Sequence, residues 1–229
     1  MEAIVLAGGL GTRLRSVVAD LPKALAAVAG RPFLAIVLER LSRHGFTSAV
    51  LAVGYKHEMI RAKFGSMFAG MDIRYAVEAE PLGTGGAIRL AARQCSEAEL
   101  FVLNGDSYVD LDYAGMMAAH RRFASRLTVC TVEVADAARY GSVLLSADRI
   151  VGFAEKGATG PGRINAGVYC LARNFLDNLG LPEVFSFERD VLTARMAELR
   201  PTAFPARGSF IDIGIPQDYA RAQEMFASP

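Results

Sequence analysis

Three glycines and two arginines crowd into Leu6–Arg15, LAGGLGTRLR, directly after the short apolar run EAIV. At that density the backbone bends easily and lets other groups come close. A glycine-rich turn leaving a buried strand exposes successive backbone N–H groups, and a helix starting there adds its positive end, so the stretch suits an anion. Arg13 adds a fixed charge, and Lys23, straight after Pro22 in DLPKALAAVAGRP, aims a second cation from an extended segment. Two stricter phosphate motifs do not fit. Gly9 and Gly11 supply the first two members of G-x-G-x-x-G, but Leu14 stands where the last glycine belongs, and the next apolar run, SAVLAVGY, ends without the acid that would hold a ribose. A Walker A loop needs Lys and then Ser or Thr after its last glycine, where this chain has Thr12-Arg13. A tight strand-to-helix turn with surface arginines, binding nothing, is the alternative to an anion site.

Two carboxylates stand in or beside apolar runs. Asp106 follows ELFVLNG. Asn104-Gly105 is a strong hairpin signal, yet the segment beyond it carries Asp106, Asp110 and Asp112 and makes a poor partner for a wholly apolar strand. The preferred reading is a buried parallel strand ending at Leu103, with Asp106 just past its carboxyl end, where open α/β sheets bind ligands. Asp212 lies in GSFIDIGIPQDY between Ile211 and Ile213, and a carboxylate buried there needs a cation or donors. A salt bridge or helix cap meets that need as well as a metal does. Two acids beside a phosphate site suit a hard divalent cation, Mg²⁺, which takes one or two carboxylates together with phosphate oxygens and water. His44, His57 and His120 have no serine or cysteine partner at a motif, which leaves a hydrolytic triad without support.

Holding these groups together calls for a sheet whose strands end at one edge. EAIVLA, SAVLAVG, DIRYAV and ELFVLNGD read as strands, and RPFLAIVLERLSRHG, HEMIRAKFG and GTGGAIRLAARQC between them have helical spacing. That alternation predicts a doubly wound α/β sheet. After the helix YAGMMAAHRRFAS come LTVCTVEV, GSVLLS, RIVGFAEK and GRINAGVYCLA, closely spaced strands that add antiparallel or mixed pairings, with KGATGPGR read as a hairpin loop. SFERDVLTARMAEL and PQDYARAQEMF read as closing helices, the second opened by Pro216. The 229 residues, 52% hydrophobic and 21% charged, give one globular domain over residues 1–229. With Lys plus Arg at 25 against 24 for Asp plus Glu, no basic footprint points to nucleic acid. No apolar run is long enough to span a membrane, and the acidic, glycine-interrupted start MEAIVLAGG is unlike a signal peptide, which predicts a cytoplasmic protein. Cys95, Cys130 and Cys170, odd in number and far apart, read as reduced, buried thiols.

LAGGLGTRL, Pro22-Lys23, PLGTGGAI, NGDSYVD, GFAEK, INAGVY and FIDIGIPQDY, in that order, resemble the sugar-1-phosphate nucleotidyltransferases over nearly the whole chain. The resemblance implies a single-domain, Rossmann-like three-layer α/β sandwich with a mainly parallel mixed sheet. It also implies attack by a sugar-phosphate oxygen on the α-phosphorus of a nucleoside triphosphate, expelling pyrophosphate, with Mg²⁺ as cofactor and a homo-oligomer as a possible assembly. By the same resemblance the loop Gly8 to Arg13, with Gly9, Gly11 and Thr12, would wrap the triphosphate, Gly83 to Gly86, with Thr84 and Gly85, would lie against the base, and Leu6, Ala7, Glu80 and Gly105 would complete the nucleotide site. Lys23 would sit beside the α-phosphate or the sugar phosphate, and Asp106 and Asp212 would hold the metal. Tyr140, Gly141, Glu155, Lys156, Asn165 and Gly167 would line the sugar-phosphate side. Within the family, GGLGTRLRSVVADLPKALA with EPLGTGGAI is most similar to guanylyltransferases acting on D-glycero-D-manno-heptose 1-phosphate, which implies GTP and that heptose phosphate as substrates. The carboxylates of Glu78 and Glu80 agree with GTP, because guanine presents two donors on one edge.

Overall fold

The computed structural model describes residues 1–9, 21–154, 157 and 159–227. Its strands are β1 Glu2–Leu6, β2 Ala27–Val28, β3 Arg31–Pro32, β4 Ser48–Val53, β5 Met67–Phe68, β6 Met71–Val77, β7 Glu99–Asn104, β8 Ser107–Val109, β9 Leu127–Val134, β10 Val143–Ser146, β11 Arg149–Phe153, β12 Gly162–Ala172, β13 Thr202–Pro205 and β14 Phe210–Asp212. The α-helices are α1 Phe33–Arg43, α2 His57–Phe64, α3 Gly83–Ala92, α4 Tyr113–Arg122, α5 Met196–Leu199 and α6 Pro216–Ala227.

β4 is buried along its whole length and β1 at all but its last residue, as strands covered on both faces must be. They pair in parallel, with β6 beyond β4 and β7 on the other flank of β1, so that Leu6 lies opposite both Ala52 and Asn104. This parallel centre belongs to a mixed ten-stranded sheet ordered β10-β11-β13-β9-β12-β7-β1-β4-β6-β5. The chain runs from β1 outward through β4 and β6 and then returns to the far side of β1 with β7. The winding therefore reverses between β1 and β7, the place where open α/β sheets bind ligands beyond their strand ends.

Alternation along β1 sends Ala3 and Val5 to one face, where α1, α2 and α4 pack, and Ile4 to the other, where α3, a π-helical turn at Phe187–Thr193 and α5 pack. That makes the expected three layers. A smaller core joins α1 and α6 through Phe33, Ile36, Val37, Ile211, Ile213 and Ala222. Cys95, Cys130 and Cys170 are buried and unpaired, and burial pushes each thiol up to about 12, where it is inert. Among the described residues no helix is long and apolar enough to cross a membrane.

As the preferred reading has it, Asn104-Gly105 makes no hairpin: β7 is parallel to β1, and β8 leaves the main sheet and pairs antiparallel with β14. Two local readings are corrected. KGATGPGR joins no hairpin, because β13 and β9 stand between β11 and β12 in the sheet. The segment SFERDVLTARMAEL is not one helix but the π-helical turn followed by α5. Strand β13, in the PTAFPA segment, fills the parallel place beside β9 that the sequence did not mark.

Below the sheet, Glu2 is buried at the start of β1, where it accepts from Ser96 N and Glu97 N at 2.6 Å each, Ser48 Oγ at 2.8 Å and Arg74 Nη2 at 2.5 Å. Burial pushes this carboxyl up, but the Glu97 N–H, Arg74, Ser48 and Ser96 together outweigh it and bring the pKa down to about 2 from 4.5. The depressed value stabilises the fold above about pH 4.5, and the contribution is lost as pH falls towards 2. Glu2→Gln should lower unfolding free energy at neutral pH by up to about 3 kcal/mol and flatten the acid limb of the stability curve. Urea melts of both proteins across the acid range measure this, and parallel curves would remove Glu2 as the anchor.

Candidate active site

The carboxyl ends of β1, β4, β6 and β7 meet in a cavity of about 690 Å³. Backbone hydrogen bonds carry the ladder just past the strands: Ala7 N donates to Ala52 O at 2.8 Å, Glu78 N to Val53 O at 2.8 Å and Gly105 N to Leu6 O at 2.9 Å. A Cβ at position 105 would lie 2.6 Å from Leu6 O, so only glycine lets β7 turn here, and that turn delivers Asp106 to the rim. Leu6, Ala7, Gly8 and Gly9 line the cavity where β1 ends. Gly11, Thr12 and Arg13 lie outside the described residues.

At the rim, Lys23 Nζ lies 2.5 Å from Asp106 Oδ2 and 4.0 Å from Asp212 Oδ1. The lysine rides on a single 3₁₀ turn after Pro22 and is 13% exposed. The β8–β14 ladder makes neighbours of the two acids: Asp212 pairs with Ser107, and Ile213 N donates to Asp106 O at 3.0 Å. Asp212 Oδ1 accepts from Gly214 N at 2.6 Å, and Oδ2 from Arg139 Nη2 at 2.8 Å. Burial first, then the Asp106 carboxylate, pushes the Asp212 carboxyl upward against the pull of Lys23, Arg139 and Gly214 N–H. Among the described residues no three His, Cys, Asp or Glu side chains gather as a self-sufficient metal cage. Asp106 lines the cavity and Asp212 stands beside it through Lys23 and the β8–β14 ladder, and two neighbouring carboxylates fit a hard cation that completes its shell with phosphate and water.

Past the end of β6, separated from β7 by β1 and β4, the acid that lines the cavity is Glu78 rather than Glu80. Glu78 follows β6 directly and is fixed there by its bond to Val53 O, with Oε2 accepting from Leu82 N at 2.9 Å. Burial raises its carboxyl and the Leu82 N–H offsets part of that rise. Glu80, two residues further, is exposed outside the lining. Gly83 and Thr84 line the cavity, but Gly85 does not: a Cβ there would meet the Phe185 ring at 2.1 Å, so this glycine seats α3 against Phe185. Glu188, which sequence reasoning missed, also lines the cavity and accepts from Thr84 Oγ1 at 2.6 Å and Ser186 Oγ at 3.1 Å. Its only signal was an acid in the first turn after a capping serine.

The residues expected on the sugar side are partly assembled. Asn165 and Gly167 occupy an irregularity of β12, with Asn165 Oδ1 accepting from Gly167 N at 2.9 Å, and Gly167 backs directly onto Asn104 of the lining. Tyr140 and Gly141 follow Arg139, and the Tyr140 ring packs edge-on to Phe210 of β14. Glu155 and Lys156 lie outside the described residues.

A sequence model of the nucleotidyl transferase family matches residues 2–228. The chain belongs to the nucleotidyl transferase family. This transferase is 42% identical over 224 residues to the D-glycero-alpha-D-manno-heptose 1-phosphate guanylyltransferase of Aneurinibacillus thermoaerophilus, with 98% of this chain and 97% of that one covered. The protein of the same description from Campylobacter jejuni is 39% identical over 220 residues, covering 96% of the transferase and 97% of its relative. Crystallised HddC from Yersinia pseudotuberculosis complexed with GMP-PN superposes on the transferase with a TM-score of 0.86 at 37% identity, covering 98% and 99% of the two chains.

Proposed function

We propose that this transferase moves GMP from GTP to D-glycero-D-manno-heptose 1-phosphate, yielding GDP-heptose and pyrophosphate. The observation that carries the reading is the meeting of Asp106 and Asp212 at Lys23, beside a cavity that Lys23 and Asp106 line together with Glu78. Relatives covered end to end that bear the heptose guanylyltransferase description support the same choice of substrates.

In this reading the base lies against Gly83 and Thr84, its donor edge towards Glu78, and the phosphates run along Gly8 and Gly9 towards Lys23, with Gly11, Thr12 and Arg13 completing the wrap. The heptose phosphate enters beside Tyr140, Gly141, Glu155, Lys156, Asn165 and Gly167. A sugar-phosphate oxygen forms a bond to the α-phosphorus as the bond to the pyrophosphate oxygen breaks. The nucleophile is already anionic near neutral pH, so no histidine base is required. Asp106 and Asp212 would hold Mg²⁺, which supplies charge neutralisation and alignment of the phosphates. Lys23 contributes a donor that strengthens as charge builds on the oxygens around the reacting phosphorus.

Steady-state pyrophosphate release over a grid of triphosphates and heptose, mannose and glucose 1-phosphates tests the assignment. GTP with the heptose phosphate should give the highest kcat/KM. A preference for UTP or dTTP would overturn the base, and a preference for a hexose phosphate would overturn the sugar. Lys23→Ala should lower kcat by roughly 10²-fold with the KM for GTP changed only a few-fold, since an interaction made chiefly in the transition state appears in kcat. Unchanged kcat with a raised KM would reduce Lys23 to uniform binding.

A further inference from the structure

Asp212 is held by a residue that no motif marks. Arg139 Nη2 donates to Asp212 Oδ2 at 2.8 Å and to the Tyr140 hydroxyl at 2.6 Å, while Nη1 pairs with Oδ2 of Asp218 on α6. Asp218 is 7% exposed, and its other oxygen accepts from Arg221 Nη1 at 2.8 Å. The guanidinium carbon also lies 4.3 Å from the centre of the Tyr140 ring, so the arginine plane is fixed by a ring, a phenol and two carboxylates. With Gly214 N on Oδ1 and Arg139 on Oδ2, each oxygen of Asp212 has one donor and keeps further acceptor capacity. Two fixed donors leave the carboxylate little freedom to rotate.

We propose that Arg139 is a positioning residue that orients Asp212 for the divalent cation, with Asp218 as its anchor, and that it ties this carboxylate to Tyr140 on the acceptor side. The inference rests on the reading of Asp212 as a metal ligand. Groups that orient a ligand in this way typically contribute 10- to 100-fold to metal affinity or activity. Lysine cannot replace the arginine fully: it has the charge, but not the planar fork that meets Asp212 and Asp218 through separate nitrogens.

The test is calorimetric titration of GTP into the full chain without sugar phosphate, once with saturating Mg²⁺ and once in EDTA. The ratio of the two affinities is the metal-linked gain. Arg139→Ala should shrink that gain on the order of 10- to 100-fold and Arg139→Lys by an intermediate factor, with the EDTA affinity unchanged in both. Asp212→Asn is the reference. If it abolishes the gain while both Arg139 variants retain it, the positioning role is overturned and the metal reading stands. If Asp212→Asn itself keeps the gain, the metal reading fails and takes the role of Arg139 with it. Should Arg139→Ala not fold, Arg139→Lys, which still offers Asp218 a cation, decides: a full gain overturns the proposal and a reduced one supports it.

Discussion

Asp106→Asn and Asp212→Asn should each lower kcat by roughly 10²- to 10³-fold, the scale of losing one preorganised charge at a reacting centre, while the protein stays folded. Both acids are partly exposed, at 38% and 24% of the side chain, and neither sits in the three hydrophobic clusters. Their ion pairs with Lys23 and Arg139 offer a structural alternative, because taking the partner from a largely buried cation can destabilise a protein by several kcal/mol. Thermal melts separate the two: a melting temperature near wild type with turnover lost supports the metal role, whereas unfolding supports the salt bridge. The double variant should cost little more than either single one, since residues serving one ion act as a unit. A single variant that kept wild-type turnover at limiting Mg²⁺ would remove that acid from the site.

The second large effect concerns the base. Wild type should prefer GTP over UTP by roughly 10⁴-fold in kcat/KM, as sites that hydrogen-bond a donor edge reject analogues that leave buried polar groups unpaired. Glu78→Gln should cut most of that preference. A carboxylate accepts at both oxygens and meets the two donors of guanine, whereas an amide pairs one acceptor with one donor and suits the alternating edge of uracil. Loss of GTP activity and a gain with UTP are both expected, and kcat/KM for each triphosphate measures them. Glu80→Gln, altering an exposed side chain outside the cavity, should leave the ratio unchanged. If Glu80→Gln moves the ratio and Glu78→Gln does not, the assignment of Glu78 is wrong.

The parallel centre was legible because its signals are local: after Glu2 and Ser48 at their starts, β1 and β4 are continuous apolar runs, and burial on both faces is the reason. Asp106 was legible for the same reason, standing at the end of such a run. Glu78 and Glu80 could not be told apart from sequence, because the choice depends on a backbone bond to Val53, a residue of another strand. Arg139 was invisible because Asp212 and Asp218 are distant in sequence, and Glu188, beyond the local signal of its capping Ser186, because Thr84, which ties it to the cavity, is distant too. Gly85 was misread because a glycine that admits a phenyl ring looks the same in sequence as one that admits a nucleotide. β8 and β14 carry too few residues for any periodicity to register.

Those two short strands impose an order on biosynthesis. A ribosome releases β1, β4, β6, β7 and Asp106 well before β14, and domains begin to organise from the amino-terminal side as they emerge. A nascent chain that has reached β13 can therefore have its main sheet complete while β8 has no strand beside it and Asp106 no second acid. Until β14 docks and α6 packs against it, the cavity at the ends of β1, β4, β6 and β7 stands without the second acid beside Asp106, so the acid pair is the last part of the site to form.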